Sequence, residues 1–180
     1  MIVGITGYKQ SGKDTIGARL VEVHGFQRIA FADALKEILT VIGWNGSKDV
    51  LPPCHHCGVL QGRELLQRFG TEGIRDVIGA DTWTELVRKK LTDNPGNWVV
   101  TDVRLENEAW MLRDLGASIW RVRRPGTEAD GHSSETQVDA IPEPWEIFNV
   151  GTVGDLNFAV DLAMFPLTFE RVNAEMRAGV

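Results

Sequence analysis

The sequence has 180 residues and a mass of 20.0 kDa, a length that favours one domain over residues 1–180. Its 43% hydrophobic and 24% charged residues are typical of a globular protein and exclude a disordered or fibrous chain. The net charge of −6 argues against nucleic acid or an anionic membrane surface as the main partner. No uncharged stretch reaches the ~18 residues of a membrane helix, and no charged leader precedes an apolar segment. We therefore expect a soluble, cytoplasmic protein.

The first third of the chain predicts two strands, each followed by a helix. Residues 1–6 are a short apolar run, typical of a buried strand. A glycine-rich turn leads into a helix over about 13–24, which Gly25 is placed to cap. A strand over 27–31 and a helix over about 33–42 follow. The apolar faces of these helices would carry Ile16, Leu20, Val23, Leu35, Ile38 and Leu39.

The middle of the chain first loses its periodicity and then becomes helical. A loop insertion is predicted over about 43–60, and helical periodicity returns over 61–69 and 71–78. Thr82 and Glu85 have the spacing of a capping box for a helix to Leu91, with Trp83, Leu86 and Val87 facing inward.

The last part alternates strands and helices again. Strands are predicted over 97–102, 117–122 and 145–150, and helices over about 105–115 and 154–165. Because strands alternate with helices, the sequence predicts an α/β fold, a three-layer α/β/α sandwich around a mainly parallel sheet. A polar, turn-rich segment covers about 123–140.

The strongest motif is the turn after the first strand. Residues 7–15 read Gly-Tyr-Lys-Gln-Ser-Gly-Lys-Asp-Thr and fit the G-x-x-x-x-G-K pattern of a phosphate-binding loop between a strand and a helix. The amides of such a loop converge on a phosphate, and the helix N-terminus adds about half a positive charge. The motif predicts that a nucleoside triphosphate is bound by Gly7, Lys9, Ser11, Gly12, Lys13, Asp14 and Thr15.

The motif departs from its usual form at one position. Asp14 stands where Ser or Thr normally contacts the metal, and Thr15 follows it. Either Thr15 is the Mg²⁺ ligand, or Asp14 holds the ion or its water, or Asp14 is turned toward the substrate. Asp102 ends an apolar strand and is a candidate to orient the same Mg²⁺ ion, the alternative being an N-cap for the next helix.

Further short motifs follow the loop in order along the chain. They are Phe31–Lys36, Leu66–Arg75, Asp81–Trp83, Val100–Arg104 with Asn107–Glu108, and His132–Glu135. Together with residues 7–15 this set resembles the bacteriophage-type deoxynucleoside monophosphate kinases, which are P-loop nucleotide kinases. The resemblance covers most of the chain and implies a P-loop NTPase fold with ATP and Mg²⁺ as cofactors.

Such a kinase needs a second cationic set for the phosphate of the acceptor. The candidates are Lys36, Arg68, Arg75 and Arg104. Arg68 and Arg75 lie seven residues apart, which is two helical turns if the helix is continuous. Asp81 and Trp83 are candidates for the acceptor base or sugar, Trp83 by stacking, although its inward position on an amphipathic helix favours a core residue.

The resemblance also implies a lid over about 123–140. Arg121, Arg123 and Arg124 precede this segment and would stabilise the transferring group while water is excluded. His132 could contact the lid or the acceptor base, but a lone loop histidine is more often inert. Lys9 would bridge donor and acceptor phosphates if it points inward.

Two cysteines and two histidines form the run Cys54-His-His-Cys57, which is not part of the family pattern. Four adjacent ligands close a zinc tetrahedron poorly, and no second ligand pair follows at the usual interval. We expect neither a zinc nor a redox site there.

The sequence as a whole predicts a (deoxy)nucleoside monophosphate kinase that acts on small nucleotides. One alternative is a P-loop kinase of another small acceptor, such as a cofactor precursor. The other is a non-catalytic nucleotide-binding module. Exposed tryptophans could form the face of a homodimer.

Overall fold

The computed structural model describes residues 1–41, 43–44, 46, 62–127, 137–142 and 144–178. These residues form two compact units. The first comprises residues 1–28 and 96–180, and the second comprises residues 29–95. Each unit is described by itself below.

A five-stranded sheet organises the first unit, and its strand order is β2-β3-β1-β4-β5. β1 pairs in parallel with β3 and β4, and β4 pairs in parallel with β5. The parallel sheet of the α/β prediction is therefore confirmed. The strands are β1 (Ile2–Thr6), β2 (Gln27–Ile29), β3 (Trp98–Val103), β4 (Ser118–Arg123) and β5 (Trp145–Phe148).

The helices follow the predicted order with different bounds in places. They are α1 (Lys13–Glu22), α2 (Phe31–Val41), α3 (Gly62–Arg68), a π-helix (Phe69–Arg75), α4 (Thr82–Asp93), α5 (Glu106–Asp114), a 3₁₀ turn (Val138–Ala140) and α6 (Val153–Ala178). The last helix, predicted to stop at residue 165, continues through Pro166. Among the described residues, no helix combines the length and apolarity needed to cross a membrane.

Helices cover both faces of the sheet, as the sandwich prediction requires. On one face, Val3 and Ile5 of β1 pack with Ile16 and Leu20 of α1 and with Leu156, Val160 and Met164 of α6. On the opposite face, α5 lies so close to β1 that Gly4 has no room for a side chain. A Cβ there would lie 2.8 Å from Ile119 and 2.9 Å from Leu112.

Two predicted helix starts are wrong, and side-chain capping explains one of them. The strand predicted to reach residue 31 ends at Ile29, because the Asp33 carboxylate accepts a hydrogen bond from the Ala30 N–H at 2.8 Å and starts α2 there. Thr82 is not the cap of α4. Its hydroxyl donates to the Gly79 carbonyl at 2.8 Å, and Asp81 is the N-cap residue.

Three apolar residues predicted to face the core are exposed. Val23 is 51%, Ile38 40% and Leu86 46% exposed. Val23 lies beyond the last residue of α1, at its C-cap, and periodicity alone does not separate buried from exposed apolar positions. Gly25, in contrast, has the predicted left-handed conformation, with φ +69°.

The second unit has its own small core around the tryptophans Trp44 and Trp83. Leu35 and Leu39 of α2 pack against both rings, and residues of α3 and the π-helix complete the cluster. Of the insertion predicted over 43–60, only residues 43, 44 and 46 are described. The Cys54–Cys57 run lies outside the described residues.

Candidate active site

The turn between β1 and α1 has the backbone of a phosphate-binding loop. Gly7, Gln10 and Gly12 have positive φ angles of 142°, 62° and 111°. A Cβ on Gly7 would lie 2.7 Å from the Val122 carbonyl oxygen, so only glycine fits between the loop and β4. The loop geometry that the motif predicts is therefore present.

A buried asparagine after β5 holds the second half of this loop. The Asn149 side-chain amide donates to the Ser11 carbonyl at 2.8 Å, and a Cβ on Gly12 would lie 2.7 Å from the same Nδ2 atom. Sequence reasoning missed Asn149, because a single asparagine 137 residues beyond Gly12 carries no recognisable spacing.

Lys13 places its ammonium group over the loop. Its Nζ donates to the carbonyls of Gly7 at 2.7 Å and Tyr8 at 2.6 Å. Ser11 Oγ is buried and has no hydrogen-bond partner in the described part of the chain. The turn therefore brings together the Lys13 ammonium, the N–H groups at the start of α1 and the Ser11 hydroxyl. Groups of this kind bind phosphate.

The candidate metal ligands lie on α1 and β3, which are in contact. A Cβ on Gly17 of α1 would meet the Thr101 side chain of β3 at 2.8 Å. Asp14 is exposed in the first turn of α1 and Thr15 is half-buried, as is Asp102. The described residues contain no group of three acidic, histidine or cysteine ligands. That finding is compatible with Mg²⁺, which keeps several waters and takes only one or two carboxylates besides phosphate oxygens.

Asp102 is not the N-cap residue of α5, because Leu105 holds that position. The start of α5 is capped by the buried Glu108, whose carboxylate accepts hydrogen bonds from the N–H groups of Arg104 at 2.8 Å and Leu105 at 3.1 Å. Glu108 lies within the motif Asn107–Glu108, so this cap explains why a carboxylate is needed there.

Arg121 is buried, and its role must be corrected. It is 6% exposed, and its Nη2 donates to the carbonyls of Val138 at 2.8 Å and Ile141 at 2.7 Å. Burial lowers the pKa of the guanidinium, and the neighbouring Arg123 lowers it further. Arg121 therefore anchors the end of the predicted lid segment to β4, and the prediction that it is a catalytic arginine is wrong.

Arg123 and Arg124 remain accessible beside the loop. Arg123 Nε lies 2.8 Å from a Glu146 carboxylate oxygen, and Arg124 Nη1 donates to the Gln10 carbonyl in the loop at 3.2 Å. The contact of Arg124 with the loop makes it a better candidate than Arg121 for charge stabilisation. The middle of the predicted lid, with His132, lies outside the described residues.

A cavity of about 240 Å³ opens beside the phosphate-binding loop. Its walls combine the loop, the end of β4 and the residues that follow β5. The lining residues that carry polar or aromatic groups are Tyr8, Arg121, Arg123, Arg124, Thr127, Asp139 and Phe148.

The acceptor candidates of the second unit lie on helices and pair with nearby carboxylates. Lys36 Nζ is 3.6 Å from Asp33. Arg68 is exposed between Glu64 at 3.6 Å and Glu72 at 3.4 Å. The premise that placed Arg68 and Arg75 on one face is wrong, because the π-helix has more residues per turn than an α-helix and seven residues make less than two turns.

Comparison with known proteins decides the family. A sequence model of the deoxynucleotide monophosphate kinases matches residues 59–160. A protein of Acanthamoeba polyphaga mimivirus, provisionally named a deoxynucleotide monophosphate kinase, is 30% identical over 163 residues. That alignment covers 78% of this chain and 83% of the viral protein.

The chain belongs to the deoxynucleotide monophosphate kinase family. Solved structures agree with this assignment at the level of the fold. Shikimate kinase from Aquifex aeolicus superposes with a TM-score of 0.58 at 12% identity, covering 94% of this chain and 99% of that one. Dephospho-CoA kinase from Campylobacter jejuni gives a TM-score of 0.54 at 12% identity, covering 94% and 98%. This kinase therefore has the P-loop phosphotransferase fold.

In this kinase Trp83 is a core residue, and the prediction that it stacks on the acceptor base is wrong. It is 4% exposed, and its indole N–H donates to the Gly70 carbonyl at 3.1 Å. Its ring packs with Leu35 and Leu39. The amphipathic pattern of α4 had already indicated this alternative.

Proposed function

We propose that this kinase transfers the γ-phosphate of ATP to a deoxynucleoside monophosphate and releases ADP and the deoxynucleoside diphosphate. The observation that carries the proposal is the loop at residues 7–13 with the Lys13 ammonium above it, in a chain of the deoxynucleotide monophosphate kinase family. No covalent enzyme intermediate is needed. The bond between the γ-phosphorus and the bridging oxygen of ADP breaks as an acceptor phosphate oxygen bonds to that phosphorus.

The donor would bind along the loop and into the adjoining cavity. Loop amides and Lys13 would hold the phosphates, since amides at a helix N-terminus favour negative charge. The 240 Å³ cavity is smaller than the ~300–1,000 Å³ of sites that enclose a whole ligand, so it suits one part of a nucleotide. Phe148 and Val150 give it an apolar wall against which a base can pack.

Mg²⁺ would be held by Asp102 together with Thr15 or Asp14, directly or through water. The packing of Gly17 on Thr101 makes the helix that carries Asp14 and Thr15 a neighbour of the strand that carries Asp102, which supports this ligand set. When bound, the ion neutralises charge on the β- and γ-phosphate oxygens. Replacing Asp14 by Asn and Thr15 by Val separately, and measuring activity against Mg²⁺ concentration, distinguishes the two ligands. The variant that lacks the true ligand needs more Mg²⁺.

The acceptor phosphate would be bound by basic residues outside the loop, for which Lys36, Arg68, Arg75 and Arg104 remain our candidates. Asp81 is our candidate for the acceptor base or sugar. The resemblance to the family supports these roles, because each residue lies in one of the matching motifs. Lys9, at the exposed tip of the loop, would bridge the two phosphates. Arg123 and Arg124 would stabilise the charge on the transferring group.

A panel assay tests the proposal. The purified protein is incubated with ATP, Mg²⁺ and each ribo- or deoxyribonucleoside monophosphate, and ADP release and the diphosphate product are both measured. We expect Mg²⁺-dependent diphosphate formation with at least one deoxynucleotide. ADP release only with a different small acceptor would instead favour the cofactor-precursor alternative. Binding of ATP without transfer to any acceptor would favour a non-catalytic module.

The homodimer and the cytoplasmic location stay predictions. Trp110 and Trp145 are 53% and 56% exposed and offer apolar surface to a second copy. Light scattering of the wild-type protein and of Trp145→Ala measures whether such a dimer exists.

A further inference from the structure

The tip of the phosphate-binding loop is tied by a side chain to the end of the predicted lid segment. The Tyr8 hydroxyl donates a hydrogen bond to the Asp139 carboxylate across 131 residues of sequence. The backbone of the same tyrosine takes part in the hydrogen bonds of the loop. Its carbonyl accepts hydrogen bonds from Lys13 Nζ at 2.6 Å and from the Ser11 N–H at 3.2 Å. A contact of the Tyr8 side chain therefore fixes the residue whose carbonyl positions Lys13.

The segment that carries Asp139 is itself anchored. Arg121 holds the carbonyls of Val138 and Ile141, which flank Asp139. Arg121 lies on β4 opposite Thr6 of β1, the strand that leads into the loop. The contacts thus form a closed ring that runs from β1 through Tyr8, Asp139 and Arg121 back to β1.

Besides Arg121, a second arginine, Arg123, lies near Asp139. Arg123 Nη1 lies 3.7 Å from Asp139, while Arg123 Nε bonds Glu146. Tyr8, Arg123 and Asp139 all line the cavity beside the loop. Asp139 thus connects the loop tip with an arginine that faces the same cavity.

We propose that Asp139 is a positioning residue for the donor nucleotide, which acts through the Tyr8 hydroxyl to keep the loop tip and Lys13 ordered before ATP arrives. The inference rests on the proposed function, in that the donor is ATP. A loop ordered in advance loses less conformational freedom when the phosphates bind. Loss of the contact should therefore weaken donor binding more than it affects the acceptor.

The contact can be measured without any assay of activity, because Tyr8 is the only tyrosine of the chain. The hydrogen bond to Asp139, with burial, raises the pKa of Tyr8 above its ordinary value of 10.0. Titration of tyrosinate absorbance should give a higher midpoint in the folded protein than in urea. Asp139→Ala should return the midpoint toward the unfolded value. The matched control is Asp93→Ala, since Asp93 is 55% and Asp139 53% exposed.

Kinetics then test the positioning role. Tyr8→Phe removes only the hydroxyl and should raise the KM for ATP about three- to tenfold, the range of one lost hydrogen bond. The KM for the monophosphate and kcat should change less than twofold. Tyr8→Phe combined with Asp139→Ala should raise the KM for ATP no further than Asp139→Ala alone, since the two substitutions remove the same contact between Tyr8 and Asp139.

The possible failures are distinct. A wild-type protein that transfers no phosphate overturns the proposed function, while the tyrosine titration still reports on the contact. Equal midpoints for the folded wild type and Asp139→Ala overturn the contact. Unequal midpoints with an unchanged KM for ATP overturn the positioning role, and melting curves confirm that each variant is folded.

Discussion

The phosphate-binding loop carries the proposed donor site, the helical segment over 62–93 carries the acceptor candidates Arg68 and Arg75, and the two regions, here the donor half and the acceptor half, are built differently. The loop is defined by its backbone: positive φ angles at Gly7, Gln10 and Gly12, and carbonyls that hold Lys13. The helical segment offers side-chain charges on an exposed surface. Arg68, for example, lies 54% exposed between two glutamates of its own helical stretch.

The difference shows how much conformational freedom each half has. A backbone loop wedged between strands has little freedom, so its chemistry follows from its shape. Exposed ion pairs four residues apart contribute only about 0.3–0.5 kcal/mol each, so a ligand phosphate can easily replace the glutamates beside Arg68. We therefore expect a single substitution in the donor half to cause a large loss of activity or ATP affinity, and a single substitution in the acceptor half to cause a smaller one.

The largest effect is expected for Lys13→Ala. Removing the ammonium above the loop should lower kcat by about 10²–10³, the cost of losing one preorganised charge in the transition state. Steady-state kinetics and a thermal melt measure this, and the melting temperature should stay within a few degrees. Lys89→Ala, which removes an exposed lysine from α4, serves as the control. Unchanged turnover of Lys13→Ala would refute the donor assignment.

Gly7→Ala tests whether the backbone defines the donor half. The new Cβ would lie 2.7 Å from a backbone oxygen at a φ of +142°, so the loop must move or strain. We expect a loss of about 1–3 kcal/mol in the free energy of unfolding and at least a tenfold weaker affinity for ATP, measured by urea unfolding and calorimetry. Gly79→Ala, whose nearest contact is 3.8 Å away, should behave like wild type. Equal behaviour of the two variants would contradict the comparison.

Arg75→Gln and Arg68→Gln test the acceptor half. Each should raise the KM for the monophosphate by about ten- to a hundredfold, as expected for one charged hydrogen bond, and leave the KM for ATP nearly unchanged. Coupled assays with each substrate varied in turn give both constants. If the KM for ATP rises instead, the arginine serves the donor and the division between the two halves is wrong.

The smallest effect is expected on the free energy of unfolding, in a comparison of a long-range ion pair with a local one. Asp161 of α6 binds Arg19 of α1 through two hydrogen bonds of 3.0 and 2.5 Å and lies 2.8 Å from His24. Arg19 and then His24 lower the pKa of Asp161 from 3.8 to about 2. Since the carboxyl is about one third exposed, we expect Asp161→Asn to cost about 1 kcal/mol at pH 7. Glu72→Gln, beside Arg68, should cost less than half of that.

The pH dependence of the first variant follows from the sign of the shift. A carboxyl whose pKa is lower in the folded state stabilises the protein above its unfolded pKa, and this stabilisation disappears as the pH falls through the folded pKa. The difference between wild type and Asp161→Asn in urea unfolding should therefore be complete above pH 4 and vanish toward pH 2. A difference that keeps its full size at pH 2 would show that the hydrogen bonds, and not the charge, matter.

The sequence by itself determined the features that depend on residues adjacent in the chain, namely backbone turns and the periodicity of helices and strands. The loop at residues 7–13 could be predicted because glycine spacing directly controls backbone angles, and the alternating strands and helices predicted the α/β class because their periodicities are local. Gly25 was predicted for the same reason.

Only the tertiary structure decided which side chains meet across long distances of sequence. It brought Asn149 to the Ser11 carbonyl of the loop, 138 residues away, and Asp139 to the Tyr8 hydroxyl, 131 residues away. The physical reason is that burial and hydrogen-bond partners depend on how separate elements pack. A residue type and its spacing carry no information about a partner more than a hundred residues away.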